Sequence, residues 1–167
     1  MISLELLDRV EAFRELDREQ RESFRIYCRE SEYRRGGRLF SEGDPANHLW
    51  TVIEGQVDLR FEMPDRRDTT AAFTVSSINV GEKKQGSRTL GWSCFVPPYK
   101  MRLSAYCESE TCRVVRIGKK DLLKIFYTDP RIGYRFMSYM VTVVGYRFQQ
   151  FQDEVARNAG ERLLSGW

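Results

Sequence analysis

Apolar positions recur at three- and four-residue spacing near both ends of the chain and fall into short, punctuated runs through its middle. Leu4, Leu6, Leu7, Val10 and Phe13 mark an amphipathic first helix. Asp17, followed by Gln20, has the pattern of a capping box and opens a second helix that runs toward Cys28. From Tyr33 to about Arg116, Gly, Pro and Asp separate runs rich in Val, Phe, Thr and Tyr, the pattern of a sandwich or barrel of small strands. The spacing predicts strands at Arg38 to Ser41, His48 to Glu54, Gln56 to Glu62, Thr70 to Ile78, Leu103 to Glu108 and Arg113 to Ile117. In the strongest of these, Leu49, Val52, Val57, Leu59 and Phe61 supply an apolar face. Glu54-Gly55 there reads as a hairpin turn, because glycine accepts positive φ without strain.

After Gly118 the helical period returns. Leu122, Leu123, Ile125 and Phe126 form a short segment that stops near Asp129-Pro130, since proline fixes φ and donates no hydrogen bond to the preceding turn. In the long helix that follows, Met137, Met140, Val144, Phe148, Phe151 and Val155 form a strip suited to a helix–helix seam or to packing on the barrel. Tyr134, Phe136, Val141, Val143 and Tyr146 add apolar surface on other faces, so the helix needs two burial partners, and a homodimer through it is expected. Gly145 costs about 1 kcal/mol relative to alanine there and reads as a close backbone approach. Asn158 and Gly160 suggest a break, after which Leu163, Leu164 and Trp167 dock on the barrel or on a partner. The chain thus divides into N-terminal helices (1–30), a β domain (31–118) and C-terminal helices with a tail (119–167).

Composition narrows the function. The 167 residues suit one domain, and 41% hydrophobic with 31% charged content is the profile of a folded globular chain. A net charge of +3 is too mild to indicate nucleic acid. Arg135 and Arg147 interrupt the most apolar late stretch, so no membrane helix is expected, and the start MISLELLDRV lacks the pattern of a signal peptide. A cytoplasmic protein is the expectation. Cys28, Cys94, Cys107 and Cys112 contain no C-x-x-C pair and read as free thiols packed as hydrophobes rather than as zinc ligands or oxidant sensors. His48 is the only histidine, which removes metal sites built on several imidazoles, and no nucleophile is signalled beside it. His48 therefore reads as a structural or exposed side chain, and the chain as non-enzymatic.

The stretch GRLFSEGDPANHLWTVIEGQVDL carries a family pattern in Gly37, Leu39, Phe40, Glu42, Gly43, Asp44, Leu49, Trp50, Val52, Ile53, Gly55 and Val57. It resembles the opening of the cyclic-nucleotide-binding domain, the effector domain of the catabolite-activator superfamily, and the resemblance extends from about Leu16 to Phe151. It implies a mainly β fold, a jelly roll (double-stranded β-helix) with N-terminal helices and a long C-terminal dimerisation helix. It also implies a phosphate-binding cassette, G-E-(Leu/Ile)-(Ala/Ser)-Leu followed about ten residues later by an arginine. Here the cassette reads LGWSCFVPPYKMRLSAYC. Gly91 and Ser93 match, whereas Trp92 stands at the glutamate that accepts the ribose hydroxyl, and an indole N–H only donates. Losing that bond removes about 1.5 to 3 kcal/mol of ordinary cyclic AMP affinity.

By the same resemblance Arg102 is the phosphate cation, with Leu103, Ser104 and Ala105 supplying adjacent backbone; by its position alone it reads equally as a surface arginine at a strand entrance. Lys100 takes that place instead if Pro97-Pro98 shortens the turn. Trp92 either fills the ribose cavity or stacks on the ring of another ligand. An added KKQGSR loop brings Lys83, Lys84, Gly86 and Arg88 to the pocket mouth, as a lid over an anion or as a solvated surface loop. The winged helix-turn-helix of the superfamily's transcription factors has no counterpart before Trp167, so regulation through another polypeptide rather than direct DNA binding is expected. Two functions remain open: a sensor of a cyclic nucleotide or related anion, with no certain cofactor, and a dimeric adaptor whose pocket is closed.

Overall fold

The computed structural model describes residues 2–62, 73–81 and 87–165. The first apolar run is split rather than forming one helix. α1 (Leu4–Asp8) is capped by Ser3, whose hydroxyl accepts the Leu6 N–H, and Val10 is extended before a 3-10 turn at Glu11–Phe13. The break lets Leu6, Leu7, Val10, Ala12 and Phe13 all turn inward, which one continuous face does not allow. α2 (Arg18–Arg25) has the expected capping box: Asp17 accepts the Gln20 N–H while Gln20 accepts that of Asp17. It stops short of Cys28.

Next comes β1 (Arg29–Arg34), a strand the pattern did not predict because RESEYR is almost wholly polar. It runs antiparallel along β8 (Thr111–Gly118) as a sheet edge, where charged side chains are tolerated. β2 (Arg38–Phe40), β3 (His48–Glu54), β4 (Gln56–Phe61), β5 (Phe73–Asn79) and β7 (Ser104–Cys107) lie within a few residues of their expected positions. Residues 70–72 of the predicted fourth strand lie outside the described residues. The two-residue β6 (Thr89–Leu90), also unpredicted, is too short to show a period. The strands form two antiparallel four-stranded sheets, β1-β8-β3-β6 and β2-β7-β4-β5, the layers of a jelly roll. Val52, Val57, Ala105, Cys107, Cys112 and Val114 are completely buried.

Gly55 does not turn a hairpin. β3 and β4 belong to different sheets, and the chain crosses from one to the other at this residue. Its φ is +80°, and a Cβ would lie 2.4 Å from the Thr111 carbonyl oxygen and 2.5 Å from Ser109 Oγ. Glycine is therefore required on two counts, backbone conformation and space.

α3 (Lys119–Thr128) ends before Asp129-Pro130 as expected, and α4 (Pro130–Ser165) runs for 36 residues. The backbone passes through Asn158 and Gly160 without the predicted break, since Ala156, Arg157, Ala159 and Glu161 favour helix and offset one glycine. The side chains of Leu163, Leu164 and Trp167 lie outside the described residues. Ile132, Phe136, Met140 and Val143 are buried on one face. On the other, Tyr134, Met137, Val141, Phe148, Phe151 and Val155 are exposed. Met140, placed in the seam by sequence, is only 2% exposed and belongs to the core, and the outward strip runs through Val141 instead. Nothing lies within 4 Å of a Cβ at Gly145, whereas one at Gly133 would meet Phe126 Cβ at 3.1 Å, so it is Gly133 that brings α4 close to α3.

Candidate ligand site

The segment from Gly91 to Ser104 opens on one left-handed glycine and docks beside another, Gly43. Gly91 (φ +81°) follows β6 and opens a 3-10 turn, Trp92–Phe95. A Cβ there would lie 2.6 Å from the His48 carbonyl oxygen and 3.1 Å from Trp50 Cδ1, so the turn is seated directly on β3. The Pro97–Pro98 bond is cis, and the returning arm pairs with the turn around Gly43 (φ +84°). The Gly43 N–H donates to the Met101 carbonyl, the Met101 N–H to that of Asp44, and the Ala46 N–H to that of Tyr99, each at 2.8 Å.

Alternation along this arm decides where its side chains go. Met101 is buried, and Lys100 and Arg102 on either side of it are exposed. Arg102 forms no hydrogen bond or ion pair among the described residues. Trp92 and Leu103 are half-buried and pack against the core. Ser93 is buried, and its hydroxyl has no hydrogen-bond partner among the described residues. Ser104 is completely buried and accepts the Glu42 N–H at 2.8 Å. Glu42 in turn accepts the Glu62 N–H at 2.9 Å, and the Tyr106 hydroxyl donates to Glu62. That bond holds the Glu62 carboxyl below its ordinary pKa and raises the Tyr106 phenol. Gly91, Trp92 and Ser93 thus share one turn, Ser104 is committed to the Glu42 backbone, and the two candidate cations face solvent. Of the expected lid, residues 82–86 lie outside the described residues. Arg88 is half-buried beside Glu11, at 3.7 Å.

Two residues carry polarity that the sequence reading passed over. Trp50 is 4% exposed, and its indole Nε1 has no hydrogen-bond partner among the described residues. An unmet buried donor of this kind costs about 1–3 kcal/mol. Arg116, half-buried, holds its guanidinium carbon 5.5 Å from the centre of the Trp50 ring. His48 stands 6.1 Å from the same ring, and burial, aided by Arg116, lowers its pKa. The signal for Trp50 was an aromatic ring two residues from His48, on the same face of the strand.

The turn is joined to α4 on two sides. Phe95 meets Phe136 edge-on at 6.3 Å, within a cluster that also holds Phe13, Phe24 and Phe126. The Tyr139 hydroxyl lies 2.7 Å from Thr89 Oγ1 and 3.0 Å from Ser87 Oγ and donates to Glu11 at 3.1 Å. Burial pushes this phenol up to about 12. Arg147 donates to the Ser87 carbonyl at 2.9 Å and to Ser76 Oγ at 2.9 Å. Outside the barrel, an open groove of about 500 Å³ lies between α2, α3 and the start of α4, and its Asp129 and Arg131 pair with each other.

All four cysteines are buried free thiols, and desolvation pushes Cys28, Cys94 and Cys112 up to about 12. Among the described residues no group of three or more His, Cys, Asp or Glu side chains is arranged to hold a metal, and no helix is long and apolar enough to cross a membrane.

No protein-family model and no curated protein sequence matches the chain. Solved structures do. A protein from Geobacter metallireducens assigned as a cyclic nucleotide-binding protein is 24% identical with a TM-score of 0.68, covering 89% of this chain and 99% of that one. A cyclic nucleotide-binding domain from Methylobacillus flagellatus is 17% identical with a TM-score of 0.72, covering 93% and 81%. The regulatory subunit of a cAMP-independent protein kinase A from Trypanosoma brucei is 12% identical with a TM-score of 0.67, covering 91% and 50%. The chain has the fold of the cyclic-nucleotide-binding domains.

Proposed function

We propose that the chain is a non-enzymatic sensor module in which an anionic, nucleotide-like molecule binds at the cassette turn and biases the packing of α4. The observation that carries this reading is the double joint between turn and helix, through Phe95 and Phe136 and through Thr89, Ser87 and Tyr139. A ligand shifts α4 only by its difference in affinity for two arrangements of that joint, so the joint is where the difference arises. The exposed cation Arg102 is the group by which the returning arm closes on the anion. The outward apolar strip of α4 is the seam of a homodimer, which gives the shift a second subunit to act on.

Isothermal calorimetry with cyclic mono- and dinucleotides, comparing the parent with Arg102→Ala, tests the reading. At least one nucleotide is expected to bind, with affinity reduced about ten- to hundredfold by the substitution. Absence of binding by any of them refutes a nucleotide sensor. A second reading, a dimeric adaptor with a closed pocket, is favoured by Trp92, which is half-buried against the core where a ribose would sit. Under that reading no nucleotide binds, and truncation after Val155 releases protein partners.

A further inference from the structure

The groups best placed to hold an anion in this chain lie on the inner face of the β3–β8 sheet. In the antiparallel register Trp50 stands opposite Arg116 and Val52 opposite Val114, so all four side chains leave the same face of the sheet. Phe40 of β2, in the opposite sheet, lies 5.9 Å from the Trp50 ring, which marks that face as the barrel interior.

Trp50 brings an unmet N–H there. Its Cδ1, the ring atom bonded to Nε1, is the side-chain atom nearest to where a Gly91 Cβ would project, so the donor edge of the indole lies against the cassette turn. Arg116 stacks over the same ring and forms no hydrogen bond or ion pair among the described residues. Its neighbours differ. Arg113 on the same strand binds Glu30 and Glu54, and Arg60 binds Glu108. Arginine does not shed its proton to escape an unfavourable setting, so a half-buried guanidinium without an acceptor attracts one. Two donor groups without acceptors, side by side on one sheet face and with no carboxylate paired to either among the described residues, suit an oxyanion.

We propose that Trp50 and Arg116 form an anion-recognition site inside the barrel, which takes the phosphate or carboxylate of a small molecule at the cassette turn. This rests on the reading that the barrel binds a ligand, and it moves the recognition of charge from the returning arm to the sheet.

The test uses the full chain, labelled with nitrogen-15, and follows the indole N–H resonances of Trp50, Trp92 and Trp167. Trp50→Phe assigns the first. Inorganic phosphate, cyclic AMP and succinate are titrated separately, to distinguish free phosphate, phosphodiester and carboxylate. The site requires that at least one of them move the Trp50 resonance downfield and saturably, and that Arg116→Gln weaken that probe about ten- to hundredfold, at least as much as Arg102→Gln does. Arg116→Lys, which keeps the charge but loses the fork, is expected to fall between, and thermal melting of both variants verifies that they fold. If a probe binds by calorimetry while the Trp50 resonance stays fixed and Arg102→Gln alone abolishes binding, the proposed site is wrong and the sensor reading stands. If none of the three binds and the Trp50 N–H exchanges only with a trapped water, the site is a hydration site and the proposal is overturned.

Discussion

The two faces of α4 are both apolar and differ in what covers them. Ile132, Phe136, Met140 and Val143 are buried on the face that meets α3, the N-terminal helices and the cassette turn, with Phe136 completely buried among four other phenylalanine rings. Tyr134, Met137, Val141, Phe148, Phe151 and Val155 run along the opposite side at alternating spacings of three, four and seven and are open. A helix that is apolar on one stripe is explained by its own domain. One with a second uncovered stripe at coiled-coil spacing carries information about something outside that domain.

The sharpest way to break the comparison is to damage each face separately. Phe136→Ala should cost about 3–5 kcal/mol of folding stability, read from urea or thermal unfolding, because it opens a cavity where five rings meet. Val141→Asp combined with Phe148→Asp should leave folding of the single chain within about 0.5 kcal/mol per site while converting a dimer to a monomer in analytical ultracentrifugation. A parent that sediments as a monomer at every concentration would remove the seam from the account.

A smaller effect, distant from α4, serves as the control. Glu54 accepts from Arg9 and Arg113, and those bonds hold its carboxyl below the ordinary value. A depressed folded-state pKa contributes stability that is present above the unfolded value and lost as pH falls through the folded one, so the loss comes on the acid side of the ordinary glutamate range. Because the pair is well exposed to solvent, Glu54→Gln should change stability at neutral pH by no more than about 1 kcal/mol and reduce the acid-side slope, with no effect on assembly.

Most of this architecture was legible because its signals are local. β3 announces itself by an apolar run broken only by Thr51 and α2 by its capping box, and Asp129-Pro130 separates α3 from α4 whatever surrounds it. What escaped depends on partners remote in sequence. β1 owes its existence to β8, and its own residues favour no strand. Gly55 was recognised as a turn, but which sheet follows it is decided by the pairing of β4 with β7 and β5. Met140 and Val141 are adjacent apolar positions, and only the direction of the barrel separates them. The cassette turn could be found from Gly91, while the pairing of Trp50 with Arg116 is created by strand register and has no trace in either residue's neighbourhood.

The buried sulfurs give the molecule an internal clock. Thiols held near 12 are almost entirely protonated at neutral pH, and only the thiolate attacks an alkylating reagent. Cys28 lies behind the helical layer, Cys94 in the cassette turn and Cys112 between the sheets, so each reacts only when its own surroundings open. Mass-resolved labelling over time would therefore report the order in which layer, turn and barrel come apart, with no residue substituted.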